Sequence, residues 1–289
     1  MSEAIVKVEH LSHRYSVQWA VRDINFEISQ TGIVGLLGSN GAGKSTIMNI
    51  ICGVLSQTEG NVMIDGIDLR KNPVAAKQNI GFLPQKPPLY GDLTVDEYLT
   101  YAAQLRQMDP KAIPAALETA KEKCGISHFS KRLIKNLSGG YQQRVGIAQA
   151  IIHNPRLVVM DEPTNGLDIP SKSIFRRLLA SYVDDSHMVV ISTHQVADVE
   201  QLLDNIVILD QRGVALNAST SEITRRLKFG TAEVGDEVLY AERTIAGDIS
   251  VMVNDADADT PLNIELLFNA TVANRDAVAA IFANTKNVK

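Results

Sequence analysis

Short apolar runs recur along the first two thirds of the chain, each bounded by polar or glycine-rich stretches. Ile33-Val34-Gly35-Leu36-Leu37, Ile80-Gly81-Phe82-Leu83, Leu157-Val158-Val159-Met160, Met188-Val189-Val190-Ile191 and Ile206-Val207-Ile208-Leu209 have the length and unbroken apolarity of strands buried on both faces. Ile5-Val6-Lys7-Val8 and Ile24-Asn25-Phe26-Glu27-Ile28 alternate instead, as half-exposed antiparallel strands do. The longer stretches between the apolar runs carry helical spacing. Strand and helix in alternation predict an α/β fold with a mainly parallel sheet and an antiparallel β subdomain. From Pro84 to about Ala150 the strand signal is lost. Val95, Tyr98, Leu99, Ala102 and Leu105, then Leu117, Ala120 and Lys121, follow helical spacing. This predicts an all-helical insert over about residues 86–150. Beyond residue 218 the patterns weaken, with strands near Glu237–Tyr240 and Ile249–Val253 and a helix from about Arg275 to Ala283. Residues 219–289 therefore read as a small C-terminal appendage to a main domain of residues 1–218.

The first apolar run delivers Gly38-Ser39-Asn40-Gly41-Ala42-Gly43-Lys44-Ser45, followed by a helix from Thr46 to Cys52. The pattern G-x-x-x-x-G-K-[ST] between a strand and a helix is a phosphate loop. Its glycines allow the backbone to curl around a phosphate chain with N–H groups turned inward. The helix N-terminus adds partial positive charge at the same point. Lys44 is placed to reach the β- and γ-phosphates, and the Ser45 hydroxyl to ligate a magnesium ion. This motif alone leaves a kinase, a GTPase and a motor open.

Leu157 to Met160 run into Asp161-Glu162, two carboxylates at the strand end where open α/β sheets bind ligands. Asp161 suits a magnesium ligand, and Glu162 suits the base that orients and deprotonates an attacking water. Just upstream lies Leu137-Ser138-Gly139-Gly140-Tyr141-Gln142-Gln143-Arg144. Small residues at a helix N-terminus expose N–H groups to an anion, and Ser138 adds a hydroxyl. With this octapeptide the chain resembles the ABC ATPase family, whose signature is a Leu-Ser-Gly-Gly loop followed by Gln and a basic residue. Tyr141 stands where Gln is commonest.

The resemblance covers about residues 3 to 218 and implies further roles. Gln85, beyond the strand ending at Leu83, looks like the glutamine that touches magnesium and the attacking water. Gly166-Leu167-Asp168 resembles the loop that crosses the dimer interface. His194, beyond Ser192-Thr193, resembles the histidine on the γ-phosphate, and Tyr15 the aromatic that stacks on adenine. Trp19 has no such counterpart and reads as ordinary packing. Gly38 to Thr46 of one subunit, with Ser138, Gly139 and Gly140 of the other, would enclose each ATP with its Mg²⁺. The implied partners are a second copy of the same or a homologous domain and transmembrane permease subunits docked on the helical insert. The stretch Pro88 to Leu99 looks like the ATPases of bacterial export systems with separately encoded membrane subunits. The implied activity is ATP hydrolysis powering transport, with export favoured over import.

Composition narrows the alternatives. A net charge of −5 does not favour non-specific nucleic-acid binding, and no nucleic-acid partner is expected. The alternative is a non-transport ABC ATPase acting on DNA or the ribosome. The DNA type carries long coiled coils between phosphate loop and signature, and none is evident between Lys44 and Ser138. The ribosomal type carries two cassettes, and one phosphate loop is present here. Cys52 and Cys124 read as buried thiols in a reducing compartment. No apolar run is long enough to cross a bilayer, and Met1-Ser2-Glu3-Ala4 lacks the start of a signal peptide. The expected location is the cytoplasmic side of the membrane, through the permease. The run Asp255-Ala256-Asp257-Ala258-Asp259 has Thr260 where a calcium loop needs glycine and reads as a solvated acidic turn.

Overall fold

The computed structural model describes residues 4–184, 186–193, 196–245, 247–255 and 258–283. In chain order, β1 (Val6–Tyr15) and β2 (Gln18–Ile28) precede β3 (Gly32–Gly38) and α1 (Lys44–Ile51). Then come β4 (Glu59–Ile64), β5 (Ile67–Asp68), α2 (Pro73–Gln78) and β6 (Ile80–Leu83). Three helices follow, α3 (Val95–Leu105), α4 (Ile113–Cys124) and α5 (Gly139–Ile151). The core resumes with β7 (Leu157–Asp161), α6 (Ile169–Tyr182), β8 (Met188–Ser192), β9 (Asn205–Asp210) and β10 (Gly213–Ser219). The chain closes with α7 (Thr220–Arg226), β11 (Leu227–Gly230), β12 (Val238–Thr244), β13 (Gly247–Val253), α8 (Ile264–Ala273) and α9 (Arg275–Ala283).

The central sheet has the order β10-β9-β3-β8-β7-β6. Five strands run parallel, and β10 returns antiparallel to β9. The strands read as apolar runs because both faces are covered. Val34, Leu36, Val159, Val190 and Val207 point into one core with α1 and the β1-β2 hairpin. Ile33, Val158, Met160, Val189, Ile206 and Ile208 point into the other, with the helical insert, α6 and the C-terminal region. An antiparallel sheet of order β2-β1-β4-β5 flanks the first core. The β4-β5 hairpin, α2, β10, α7, β11 and α8 were not anticipated from the sequence.

The insert is helical, and α3 starts at a capping box. Thr94 Oγ1 accepts from the Glu97 N–H at 3.3 Å, and a Glu97 carboxylate oxygen accepts from the Thr94 N–H at 2.8 Å, so two orphan donors are satisfied reciprocally. Two expectations about its apolar face need correction. Leu105 is 65% exposed, because the last turn of α3 rolls out of the core toward a surface groove. Lys121 is buried as the spacing implied, yet as a polar staple. Its ammonium donates to Asp96 Oδ1 at 2.7 Å, Glu118 Oε1 at 2.8 Å and Ser130 Oγ at 2.8 Å, as a buried charge requires.

The C-terminal region pairs β11-β13-β12 into a small sheet. Ile223, Leu227, Val251, Ile264 and Leu267 continue the same apolar core as Ile206 and Ile208. Cys52 and Cys124 are buried and unpaired, and burial pushes the Cys124 thiol up to about 12. Asp257 and His194 lie outside the described residues.

Candidate nucleotide-binding site

The phosphate loop links β3 to α1 and needs glycine where it turns. Gly41 and Gly43 have φ of 81° and 102°, the left-handed region that L side chains avoid. At Gly43 a Cβ would also sit 2.2 Å from Val21 Cγ1, so the β1-β2 hairpin closes tightly over the loop. Lys44, the first residue of α1, is 8% exposed. Its ammonium donates to the carbonyl oxygens of Gly38 at 2.6 Å and Ser39 at 3.2 Å. Burial pulls its pKa below the ordinary lysine value, and the nearby carboxylates of Glu162 and Asp161 oppose that shift.

These groups line one cavity of about 480 Å³. Asn40, Gly41, Gly43, Lys44, Ser45 and Thr46 form its floor; Gln85, Asp161 and Glu162 reach it from the ends of β6 and β7; Tyr15 comes from the β1-β2 hairpin. Gly38, Ser39 and Ala42 do not line it. They shape the loop, through the two carbonyls that receive Lys44 and through buried Ala42. Asp161 and Glu162 are 7% and 8% exposed, and Glu162 has φ of 50°. A left-handed glutamate stores strain, which functional sites tolerate when surroundings impose it. The Glu162 N–H donates to the Ser192 carbonyl at 3.0 Å, and Ser192 Oγ donates to Asp161 Oδ1. Together β7 and β8 fix both carboxylates. The hydroxyl of Ser45, the second Asp161 oxygen and the Gln85 amide oxygen form a hard oxygen donor set that suits Mg²⁺ completed by phosphates and water.

The reading of Trp19 as packing is corrected. It lines the cavity beside Tyr15, with the guanidinium of Arg14 5.7 Å and that of Arg22 5.9 Å from its ring. Gln18, Ala20 and Arg212 also line the cavity and were not singled out from the sequence. Arg212 sits in a hairpin turn with no motif around it, so only the fold could reveal its position.

The signature octapeptide lies elsewhere. Ser138 is the N-cap of α5 without a side-chain cap bond, and Ser138 and Gly139 are exposed. None of residues 138–140 lines the phosphate-loop cavity. The rest of the octapeptide anchors this helix end. Gln142 Nε2 donates to the Leu137 carbonyl at 3.0 Å, Gln143 Nε2 to the Pro163 carbonyl at 3.2 Å, and Arg144 to Ser171 Oγ at 2.6 Å. Ser171 in turn donates its N–H to Asp168 Oδ1 at 2.9 Å, so Asp168 caps α6. The Ser171 bonds hold the Asp168 carboxyl below the usual carboxylate range. A bonded chain thus runs from the signature helix through Ser171 to the Gly166-Leu167-Asp168 loop.

A doubly covered, mainly parallel sheet with a phosphate loop and two carboxylates at its C-terminal strand ends defines a P-loop nucleoside triphosphatase. A family model described as ABC transporter matches residues 21–165. The chain is 35% identical over 191 residues to the ABC transporter ATP-binding protein NatA of Bacillus subtilis (strain 168), covering 66% of this chain and 78% of that protein. It is 35% identical over 208 residues to the bacitracin transport ATP-binding protein BcrA of Bacillus licheniformis, covering 72% and 67%. Among solved structures, a dimeric ATP-binding cassette in a post-hydrolysis state with ADP and Pi superposes with a TM-score of 0.65, at 26% identity. That match covers 74% of this chain and 98% of that one. The chain therefore belongs to the ABC transporter family, as an ATP-binding and ATP-hydrolysing subunit.

Proposed function

We propose that this chain is one half of a two-chain motor, completed by a second copy of itself or a homologous domain. The observation that carries this reading is the separation of the signature from the cavity. The helix end at Ser138 is exposed and uncapped by any side chain, yet its own phosphate loop lies in a cavity it does not line. A second subunit placed head to tail would bring each signature to the other's nucleotide. Asp168 and its loop, tied to the same helix through Ser171 and Arg144, would cross that interface.

In this arrangement Tyr15 stacks on adenine, and loop N–H groups with Lys44 hold the phosphates. Ser45, Asp161 and Gln85 would hold Mg²⁺, whose charge neutralises the phosphate oxygens. The Glu162 carboxylate accepts a proton from water as its oxygen bonds to the γ-phosphorus, and the bond to the β-phosphate oxygen breaks. His194, on the sequence reading, contacts the γ-phosphate. ATP closes the dimer, and hydrolysis releases it.

A second opening, a groove of about 630 Å³ between the core and the helical insert, supports docking of a permease. Among the described residues no helix is long and apolar enough to cross a membrane. Association with the cytoplasmic face would therefore run through that partner. The groove displays Val54, Val74, Tyr90 and Leu105, all more than half exposed. Similarity to a bacitracin transport subunit supports a transport role, and the exporter-like stretch Pro88–Leu99 supports outward transport. Residues 1–218 would form the motor, with residues 86–150 as its docking insert and 219–289 as an accessory region.

Glu162→Gln tests the assignment. It should lower turnover by about 10²- to 10⁴-fold while ATP binding persists, so a dimer accumulates with ATP on gel filtration. Turnover within a few-fold of the parent would remove Glu162 from its role.

A further inference from the structure

The turn between β9 and β10 is built from residues that do not favour it. Asp210 pairs with Gly213, leaving Gln211 and Arg212 as a two-residue loop with φ of 46° and 66°. Two consecutive left-handed residues make a type I′ turn, where Asn-Gly or Asp-Gly is cheapest. A glutamine and an arginine there are strained, and something must hold them.

Three contacts hold this turn. The Arg22 N–H donates to the Arg212 carbonyl at 3.2 Å, tying it to β2 beside Trp19. From the far end of the chain, Arg275 at the start of α9 spans the turn. It donates to the Asp210 carbonyl at 3.3 Å and the Val214 carbonyl at 3.0 Å. Gly213 makes room for this grip, since a Cβ there would lie 3.1 Å from the Arg275 guanidinium.

The held turn presents Arg212 to the nucleotide cavity. Lys44 and Arg212 are the two cationic side chains among the residues lining it. The two are arranged differently: the Lys44 ammonium is engaged by loop carbonyls, whereas no hydrogen-bond acceptor or acidic partner engages the Arg212 guanidinium among the described residues. Arg212 shares its side of the cavity with the hairpin that carries Tyr15, Gln18 and Trp19. A planar guanidinium there can stack on a purine face, which an ammonium does poorly.

Building on the reading of this cavity as the ATP site, we propose that Arg212 contacts the base and ribose end of the bound nucleotide, and that Arg275 of the C-terminal region positions it. The nucleotide site then reaches beyond the family motifs, and residues 219–289 act on ATP affinity through the β9-β10 turn.

Calorimetric titration of the full-length chain with ATP and with inorganic tripolyphosphate tests this, using Arg212→Ala, Arg275→Ala, the double variant and Lys44→Met. Arg212→Ala should weaken ATP binding about 3- to 10-fold and leave tripolyphosphate binding unchanged. Arg275→Ala should weaken ATP binding by a smaller factor. The double variant should bind no more weakly than Arg212→Ala alone, because one residue acts through the other. If Arg275→Ala does not fold, Arg275→Lys removes the two-pronged grip with the charge and stem kept, and the same pattern is expected. Parent-like ATP affinity in Arg212→Ala, while Lys44→Met loses affinity, would overturn this proposal and leave the ATP site intact. Equal loss for ATP and tripolyphosphate would place Arg212 on the phosphates and overturn the base-end contact. Fully additive losses would remove Arg275 from its positioning role.

Discussion

Replacing Lys44 by methionine keeps the unbranched stem that α1 buries and removes only the charge. The ammonium holds the Gly38 and Ser39 carbonyls at 2.6 and 3.2 Å, so the loop loses two charge-assisted bonds. Asp161 and Glu162, whose carboxylates oppose the burial shift on Lys44, lose that cation as an electrostatic partner. For the ligand the dominant loss is electrostatic. A unit charge about 4 Å from a phosphate charge is worth about 4 kcal/mol at an effective dielectric of about 20. Binding also costs Lys44 part of its present carbonyl bonding. The net falls in the range of a charged hydrogen bond, about 1.5–3 kcal/mol, or about 10- to 150-fold in affinity. A fluorescent ATP analogue titrated into parent and variant reads this directly, with a thermal melt without nucleotide confirming that the variant is folded. Affinity within twofold of the parent in a folded Lys44→Met protein would refute the phosphate-loop assignment.

His153 supplies a pH-dependent prediction. Burial, aided by Arg106, pulls its pKa from 6.5 to about 4, while a hydrogen bond to the Ile80 carbonyl at 3.2 Å opposes this. The unfolded chain takes up the proton first, so the stability this residue contributes is complete above 6.5 and is lost as pH falls toward 4. Between pH 7 and pH 5 the parent should lose about 2 kcal/mol more than His153→Gln in urea unfolding; equal losses would contradict it. Leu105→Glu on the 65% exposed groove position should leave melting within about 0.5 kcal/mol of the parent and abolish co-purification with the permease. Retained co-purification would move the docking site elsewhere.

The legible parts of the sequence were those under two constraints at once. Strands β3, β6, β7, β8 and β9 are buried on both faces, so their composition announces them, and the phosphate loop needs glycine and lysine at fixed offsets. Strands β11 and β12 were faint because they form a small sheet whose β12 edge is mostly exposed, which weakens any alternation. Lys121 satisfied the helical period while violating the rule that charges stay outside, since its carboxylate partners lie both on its own helix and on another. Trp19 and Arg212 were hidden for a different reason. They reach the cavity from two hairpins far apart in sequence, and nothing local in either marks a ligand contact.

The proposed motor shares each catalytic unit between two chains. Ser138→Arg places a bulky side chain at the exposed start of α5, away from the cavity containing Lys44, Ser45 and Asp161. The most direct measurement is its ATP affinity as an isolated chain beside its ATP-driven dimerisation and turnover. Parent-like ATP binding is expected, with dimerisation and hydrolysis both abolished. Normal turnover from the Ser138→Arg protein would mean that the site is complete within one chain, and the two-chain motor would have to be given up.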